Sequence, residues 1–104
     1  MTTKIHTENI FSMLKKYNLT NFQIDVLLAT LKIPKGSVST YRDLALAIKR
    51  TNANRAVGTA LKKNPLPIII PCHRVIKSDG TLGNYSYGGV HKKYLLLKKE
   101  STFK

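Results

Sequence analysis

The chain contains one cysteine, and the residues beside it are of types that can activate a thiol. Cys72 is followed by His73 and Arg74, which can donate hydrogen bonds or carry positive charge, and such neighbours favour the nucleophilic thiolate. A solitary cysteine is more often a small buried apolar residue, so composition alone also permits an inert role. On an extended chain Cys72 and His73 point to opposite faces. Contact between them therefore requires a local bend or a bridging water.

Other chemistry at this cysteine is disfavoured by the composition. A single cysteine allows no disulfide within the chain, so we expect a free thiol. Together with His6, His73 and His91, it shows none of the paired ligand spacing that zinc sites require. A cysteine hydrolase would need a base and an orienting group elsewhere in the chain. We therefore expect neither a metal nor a cofactor.

The charge balance indicates a polyanionic partner. The 104 residues include 18 Lys and Arg against 5 Asp and Glu, a formal charge of +13, and such an excess repels itself unless a polyanion is nearby. Nucleic acid is favoured over a membrane surface, because the lysines are spread over several predicted elements. The N-terminal residues lack the apolar region of a signal peptide, and no run approaches the roughly 18 apolar residues of a spanning helix. A cytoplasmic, nucleoid-associated protein is therefore expected.

Short helices and one apolar run are the elements that would position Cys72. Residues 65–76 contain three successive isoleucines, which favour a buried strand. Pro71 is expected to end this strand because proline has no N–H for a ladder, so that Cys72 lies at the strand exit. Helical spacing of apolar residues predicts further helices over residues 8–17, 21–32, 41–49, 53–63 and 90–99.

Polar side chains predict where three of these helices begin. Thr20 and Gln23 have the spacing of a capping box. Thr40 precedes the helix at residues 41–49 and has an acid, Asp43, three residues later. Asn52 is placed to cap the helix at residues 53–63.

The helices at residues 41–49 and 53–63 are joined by a turn short enough for a helix-turn-helix unit. The second helix carries small and basic residues suited to a DNA groove, namely Asn54, Arg55, Gly58, Thr59, Lys62 and Lys63. Asp79-Gly80 is a hairpin signal. The sequence therefore predicts a mostly α fold with a short β hairpin, a winged helix-turn-helix-like DNA-binding domain. A helical brace at residues 1–20 would support it.

Three segments resemble one known family. Pro71-Cys72-His73-Arg74-Val75, preceded by Asn64-Pro65-Leu66-Pro67 and by Arg55-Ala56-Val57-Gly58, is similar to the O6-alkylguanine-DNA alkyltransferases, the methylated-DNA:protein-cysteine methyltransferases. The likeness covers residues 22 to about 97. It implies that residues 21–104 form an alkyltransferase DNA-binding and catalytic domain. The implied partner is double-stranded DNA containing alkylated guanine, bound by a monomer without a membrane or a cofactor.

The resemblance also implies a role for each matching residue. Cys72 would accept the alkyl group irreversibly in a single turnover, and His73 would deprotonate it through a water. Arg55 would replace the flipped guanine in the base stack. Tyr41 would help to expel that guanine by crowding the adjacent phosphate. The residues placed at the DNA are Tyr41, Arg55, Ala56, Gly58, Thr59 and Lys62. Those placed in the substrate pocket are Asn64, as a hinge, and Pro67, Val75, Tyr85 and Ser86.

Two positions could hold the group that orients His73. The family usually has a glutamate in its last helix, and a count from Cys72 reaches Lys99 at that place. An extra residue near Tyr87-Gly88-Gly89 would instead bring Glu100 there. Glu100 is the candidate carboxylate, although Lys92 fits the family without any shift.

Two other functions compete with alkyl transfer. Alkyltransferase-like proteins flip the damaged base but have tryptophan in place of the cysteine, so they only flag damage for excision repair. Cys72 favours transfer over flagging. The second competitor is a small helix-turn-helix DNA-binding protein whose cysteine is inert.

Overall fold

The structure, a computed structural model, describes residues 7–100, which form five α-helices and two short strands around a three-residue 3-10 turn at Cys72–Arg74. The elements are α1 (Thr7–Leu14), α2 (Asn21–Leu31), β1 (Ser39–Thr40), α3 (Tyr41–Ala47), α4 (Asn54–Lys62), β2 (Val75–Ile76) and α5 (Gly89–Lys99). Each predicted helix is present, with ends within three residues of the prediction. Within the described range, no helix is long and apolar enough to cross a membrane.

Two of the three predicted helix caps are confirmed. At α2 the Thr20 hydroxyl accepts from the Gln23 N–H at 3.1 Å while the Gln23 side chain accepts from the Thr20 N–H at 2.8 Å. At α3 the Thr40 hydroxyl accepts from the Asp43 N–H at 3.0 Å. The Asn52 cap was wrong, because α4 starts after Ala53 without a side-chain cap. Asn52 lies at φ 65°, a left-handed turn position that asparagine tolerates better than most residues.

Helix α2 lies at the centre of the hydrophobic core, in contact with α1, α3 and α4. Its Val26 and Leu27 are fully buried. Ile10 and Leu14 of α1 are buried in the same core, so the N-terminal helix packs directly on the rest. The other members include Leu44, Ala45, Val57, Ala60, Leu61, Ile70, Cys72 and Val75. The cysteine therefore belongs to the edge of the core.

The two strands pair in parallel and not as the predicted hairpin. Ser39 is opposite Val75 and Thr40 is opposite Ile76, so β2 ties the cysteine segment to the start of α3. The turn at Asp79-Gly80 does form, with a hydrogen bond of 2.9 Å from the Lys77 N–H to the Thr81 carbonyl. No described strand follows this turn, and the hairpin prediction is corrected on that point.

The predicted strand through the three isoleucines was wrong. Only Ile70 is buried, while Ile68 and Ile69 are 53% and 41% exposed, and Ile68 lies at φ 73°. Prolines at 65, 67 and 71 remove the N–H groups that a ladder needs. The segment is instead a tight loop in which the Ile70 N–H bonds to the Leu66 carbonyl at 2.9 Å.

Candidate functional site

A cleft of about 630 Å³ opens between α4 and the loop that precedes α5, and Cys72 lies in its wall. Arg55, Gly58, Thr59 and Lys62 line it from α4, and Tyr41 from the start of α3. These are five of the six residues that the sequence places at the DNA. The sixth, Ala56, is exposed on α4 and does not line the cleft. Asn54, which the sequence analysis named among the groove residues of this helix, also lines the cleft. Lys77, Ser78 and Asn84 line it too, and sequence reasoning assigned none of these three to the site.

The Cys72 thiol is placed for reaction but protonated at rest. The side chain is 8% exposed, and burial raises the pKa of the Cys72 thiol, although the Asn64 side chain and the charge of Lys93 counteract part of that effect. Cys72 begins the 3-10 turn that also contains His73. This turn is a local bend at the cysteine. A protonated thiol needs a base before it can attack, and His73 is the next residue in the chain.

His73 is fully buried and is oriented by a carboxylate. Its Nε2 lies 3.0 Å from Glu100 Oε2, while Lys99 is exposed. The structure therefore places Glu100, and not Lys99, at the histidine. Just before and at the start of α5, Gly88 and Gly89 take φ values of 128° and 81°, a region that suits glycine.

Arg74 holds Glu100 in place. Its Nε and Nη2 donate to the two carboxylate oxygens at 3.0 and 2.7 Å, and Nη1 donates to the Ile33 carbonyl at 2.8 Å. The hydrogen bond from Arg74 is the main reason that the pKa of Glu100 lies below its usual value. Sequence reasoning placed Arg74 near the sulfur as a possible positive charge, whereas its guanidinium is directed at the carboxylate.

His73 is neutral in this environment. Burial lowers the pKa of His73, although the hydrogen bond with Glu100 acts in the opposite direction. Because ionised Glu100 can only accept, Nε2 carries the proton and Nδ1 carries the lone pair. Nδ1 is buried and has no hydrogen-bond partner among the described residues. His73 can therefore accept a proton at Nδ1.

Tyr41 fits between two glycines, which sets its position in the cleft. A Cβ on Gly58 would lie 3.8 Å from the Tyr41 ring, and a Cβ on Gly83 would lie 3.1 Å from its hydroxyl. Gly83 also has φ 76°. Gly58 of α4 and Gly83 of the loop before α5 therefore let both segments approach Tyr41 closely.

Two of the five residues expected in the substrate pocket, Tyr85 and Ser86, line the cleft. The Tyr85 ring lies edge-on to His73 with centroids 6.4 Å apart. Burial raises the pKa of Tyr85 to about 12, so the phenol keeps its proton. Pro67 is half-buried and Val75 is fully buried, and neither lines the cleft.

Asn64 joins the end of α4 to the cysteine segment. It is fully buried, its amide donates to the Ile70 carbonyl at 2.9 Å, and its side-chain oxygen accepts from the Leu66 N–H at 2.9 Å. The Tyr87 hydroxyl donates to the Asn64 carbonyl, which ties the loop before α5 to the same turn. The two Asn64 side-chain bonds fix the segment that leads from α4 to Cys72.

Lys93 is a further residue that sequence reasoning did not single out. It is fully buried on α5, and its Nζ donates to the carbonyls of Leu82 and Asn84 at 2.5 and 3.3 Å. Burial lowers the pKa of Lys93 to about 8. The available signal in the sequence is its spacing, because Lys93 shares a helix face with Leu96 and Leu97, three and four residues on.

Within residues 7–100, no group of three His, Cys, Asp or Glu side chains could hold a metal ion.

Fold and site together are those of a helix-turn-helix protein with a buried cysteine beside its second helix. Residues 21–102 match the family described as 6-O-methylguanine DNA methyltransferase, DNA binding domain. The chain belongs to this family.

Individual relatives agree with this assignment. A methylated-DNA–protein-cysteine methyltransferase from Methanosarcina barkeri is 46% identical over 85 residues, which cover 82% of this chain and 54% of the relative. The Mycobacterium tuberculosis protein OGT, solved in complex with DNA, superposes with a TM-score of 0.78 at 44% identity over 82% of this chain and 52% of its own. The chain thus spans about half the length of these two proteins.

A third relative has also been solved with DNA. Atl1 of Schizosaccharomyces pombe, solved with damaged DNA containing O6-carboxymethylguanine, superposes with a TM-score of 0.70 at 31% identity. The match covers 80% of this chain and 78% of Atl1. The helix-turn-helix-like fold predicted from sequence is thereby confirmed.

Proposed function

We propose that the protein repairs DNA by flipping O6-alkylguanine out of the duplex and transferring the alkyl group irreversibly to Cys72. The observation that carries this proposal is a cysteine in the wall of the cleft beside α4, with neutral His73 next to it and Glu100 behind the histidine. A DNA-binding protein that used its cysteine only for packing would not need an oriented base beside it. The activity is that of a methylated-DNA:protein-cysteine S-methyltransferase.

Binding begins with α4 in a groove of double-stranded DNA. Arg55, Thr59 and Lys62 are exposed along α4 and supply the phosphate and groove contacts, with Ala56 beside them. The alkylated oxygen is inaccessible inside the stack, so the nucleotide must turn out at a cost of about a few kcal/mol. Arg55 fills the gap and Tyr41 crowds the neighbouring phosphate. A damaged base pairs poorly, which lowers the cost of flipping.

The chemical step is an in-line substitution at the alkyl carbon. The Cys72 proton passes through a water to His73 Nδ1, whose acceptor state is fixed by Glu100 at Nε2. The thiolate forms a bond to the alkyl carbon as the bond from that carbon to the guanine oxygen breaks, and the electron pair stays on guanine. The guanine is then protonated, so the thiol proton replaces the alkyl group overall.

The loop before α5 is suited to the departing base. Tyr85 keeps its phenolic proton, since its pKa is raised to about 12, and can donate to the guanine as negative charge develops. The Ser86 backbone is a second donor. Pro67 and Val75 do not line the cleft, so their place in the pocket is proposed only from the family resemblance, as is the role of Asn64 as the hinge between α4 and Cys72. The thioether product is a poor leaving group, so each molecule reacts once.

The protein is proposed to act as a monomer in the cytoplasm, at the nucleoid, with duplex DNA containing alkylated guanine as its partner. Residues 1–20 would serve as a brace for the alkyltransferase domain at residues 21–104. The burial of Ile10 and Leu14 against the common core supports the bracing role.

A titration of repair against protein tests the function. Limiting protein is mixed with excess duplex that carries O6-methylguanine, and the demethylated strand should stop accumulating at one per protein molecule. Cys72→Ala should bind the same duplex without demethylating it. Tight, damage-selective binding by the wild type without loss of the methyl group would establish the flagging function. Binding without preference for the damaged duplex would leave a simple helix-turn-helix protein.

A further inference from the structure

Four exposed lysines form a surface that is separate from the cleft. Two of them lie where α2 ends and the chain turns, and two lie in the last turn of α5. They are Lys32, Lys35, Lys98 and Lys99, called the lysine cluster below. None of them lines the cleft, and the repair steps above use none of them.

Two contacts bring the two halves of the lysine cluster together. The Arg74 guanidinium donates to the Ile33 carbonyl at 2.8 Å and also to both oxygens of the Glu100 carboxylate. A Cβ on Gly36 would lie 3.4 Å from the Glu100 carbonyl oxygen, so the turn after α2 closely approaches the end of α5. Because the four lysines adjoin these residues in the sequence, the two halves share one surface.

The lysine cluster lies on the far side of His73 from the cleft. Cys72 is in the cleft wall, His73 is fully buried, and Glu100 contacts the histidine Nε2 at 3.0 Å. The Glu100 side chain is 12% exposed, so this row of residues reaches the surface again at the lysines. Duplex DNA is stiff over about 50 nm. A straight duplex bound along α4 therefore does not extend to the lysine cluster.

The charge of the lysine cluster is not balanced by acids. Among residues 9–100, whose side chains the structure describes, none of its members forms an ion pair. The adjoining carboxylate, Glu100, is engaged by Arg74 and His73. The Lys98 Nζ lies 6.0 Å from the centroid of the Tyr94 ring, a contact that does not neutralise it. Cations gathered in this way repel each other unless a polyanion is near.

We propose that the lysine cluster is a second DNA-binding surface, which holds the phosphate backbone of a separate duplex segment while α4 holds the first. Lysine is a compact point charge that suits phosphate, and phosphate contacts position a protein on DNA without reading its sequence. One molecule would therefore bridge two duplexes, or two distant parts of one. The proposal goes beyond the proposed function, because bridging requires neither Cys72 nor a damaged base.

An anionic membrane also presents phosphate, but the surface is less suited to it. Attachment to a membrane generally needs large apolar side chains that insert beside the charges. Tyr94 and Leu95 are exposed one turn earlier on α5, whereas the turn at residues 34–37 exposes no large apolar side chain. The apolar residues therefore do not extend across the lysine cluster, and duplex DNA is the favoured partner.

A bridging assay tests the second surface. An undamaged duplex is fixed on beads, loaded with protein, washed and offered a fluorescent duplex, which the wild type should retain on the beads. The double variant Lys35→Gln with Lys98→Gln takes one lysine from each half of the cluster. It should lower the retained fluorescence by roughly tenfold, because each lost phosphate contact removes the release of about one counterion. Absence of bridging by the wild type would overturn the proposal.

Lys15→Gln with Lys16→Gln is the matched control, since it removes the same charge from exposed positions just after α1. It should retain wild-type bridging. Equal losses in the two double variants would overturn the proposal, because overall charge would then explain them. Bridging that persists in Lys35→Gln with Lys98→Gln would also overturn it and would indicate contact between protein molecules. Both double variants should demethylate a short methylated duplex as the wild type does, so bridging and repair can fail separately.

Acetylation of lysines in the wild type covers the case in which the double variant fails to fold. The protein is treated briefly with an amine-acetylating reagent, with and without excess undamaged duplex, and each lysine is quantified by mass spectrometry. The duplex should protect all four members of the lysine cluster severalfold and leave Lys15 as reactive as before. Equal reactivity of the cluster with and without duplex would refute the proposal. Protection by phosphatidylserine-containing vesicles but not by duplex would assign the surface to a membrane instead.

Discussion

The two ring nitrogens of His73 have different surroundings, and this difference determines which of them can take a proton. Nε2 faces Glu100 at 3.0 Å, and Nδ1 is buried without a partner among the described residues. Ionised Glu100, held by Arg74, makes Nε2 the donor. Nδ1 is then the basic atom, on a histidine that burial keeps neutral.

Glu100→Gln tests this arrangement at the scale of one residue. The amide can still bond to the histidine, but it removes the negative charge that supports an imidazolium, so transfer should slow by roughly a hundredfold or more. The measurement is the single-turnover rate on methylated duplex. Lys99→Gln changes the neighbouring position and should retain the wild-type rate. Equal rates for both variants would show that another group orients His73.

Acid should destabilise the fold in two steps. The pKa of His73 is lowered from 6.5 by burial, so the unfolded chain takes up this proton first and the free energy of unfolding falls as the pH drops below about 6.5. The pKa of Glu100 is lowered from 4.5, mainly by Arg74, so a further loss begins below about 4.5.

Melting temperatures measured over a pH series should fall in two steps, one for each loss in the free energy of unfolding. His73→Asn should flatten the first step, because the buried imidazole is gone. The exposed His91 provides the control, and His91→Asn should keep both steps. A first step that persists in His73→Asn would assign it to another group.

Single residues also show what the sequence could not reveal. Cys72 was recognisable from its neighbours, and Glu100 was one of two candidates. The buried position of Lys93 was not evident, because lysine is almost always exposed and α5 is rich in it. The partners that make its burial tolerable are backbone carbonyls of a loop eleven and nine residues earlier, which no local pattern encodes.

At the scale of elements, helices were predictable and the cysteine segment was not. The starts of α2 and α3 were set by local side chains, Thr20 and Thr40. The run of isoleucines predicted a strand on propensity, but propensity for strands depends on partners. Tertiary bonds from Asn64 to the Ile70 carbonyl and the Leu66 N–H turned it into a loop. The same loop brings Cys72 to the edge of the core.

The loop before α5 gives a prediction about packing. Gly83→Ala places a Cβ 3.1 Å from the Tyr41 hydroxyl at φ 76°, whereas Gly80→Ala at φ 90° meets nothing within 4 Å. Both substitutions carry the cost of a positive φ, about 1–2 kcal/mol. Gly83→Ala should cost about 1 kcal/mol more, from overpacking against Tyr41.

Urea denaturation gives both free energies of unfolding, and their difference isolates the contact with Tyr41. Transfer should also slow only in Gly83→Ala, because only there is Tyr41 displaced. Equal losses of stability in the two variants would mean that the close contact between Gly83 and Tyr41 does not affect the free energy of unfolding.

At the scale of the whole molecule, the charge of +13 should strengthen the binding of DNA. Cationic side chains that contact phosphates release counterions, so affinity for duplex DNA should fall more than about tenfold between roughly 50 and 200 mM salt. Fluorescence anisotropy with a labelled duplex measures this affinity at each salt concentration. Cys72→Ala should show the same salt dependence, because the thiol makes no phosphate contact. A change of less than about twofold would contradict binding through the basic surface.

The central claim is that Cys72 receives the alkyl group, and mass mapping of that residue tests it most directly. The protein is incubated with duplex DNA containing one O6-methylguanine, digested, and analysed by mass spectrometry. The account predicts that the peptide containing Cys72 gains the mass of one methyl group in proportion to the damaged DNA supplied, while Cys72→Ala gains none. A protein that binds the damaged duplex and leaves Cys72 unmodified would contradict it.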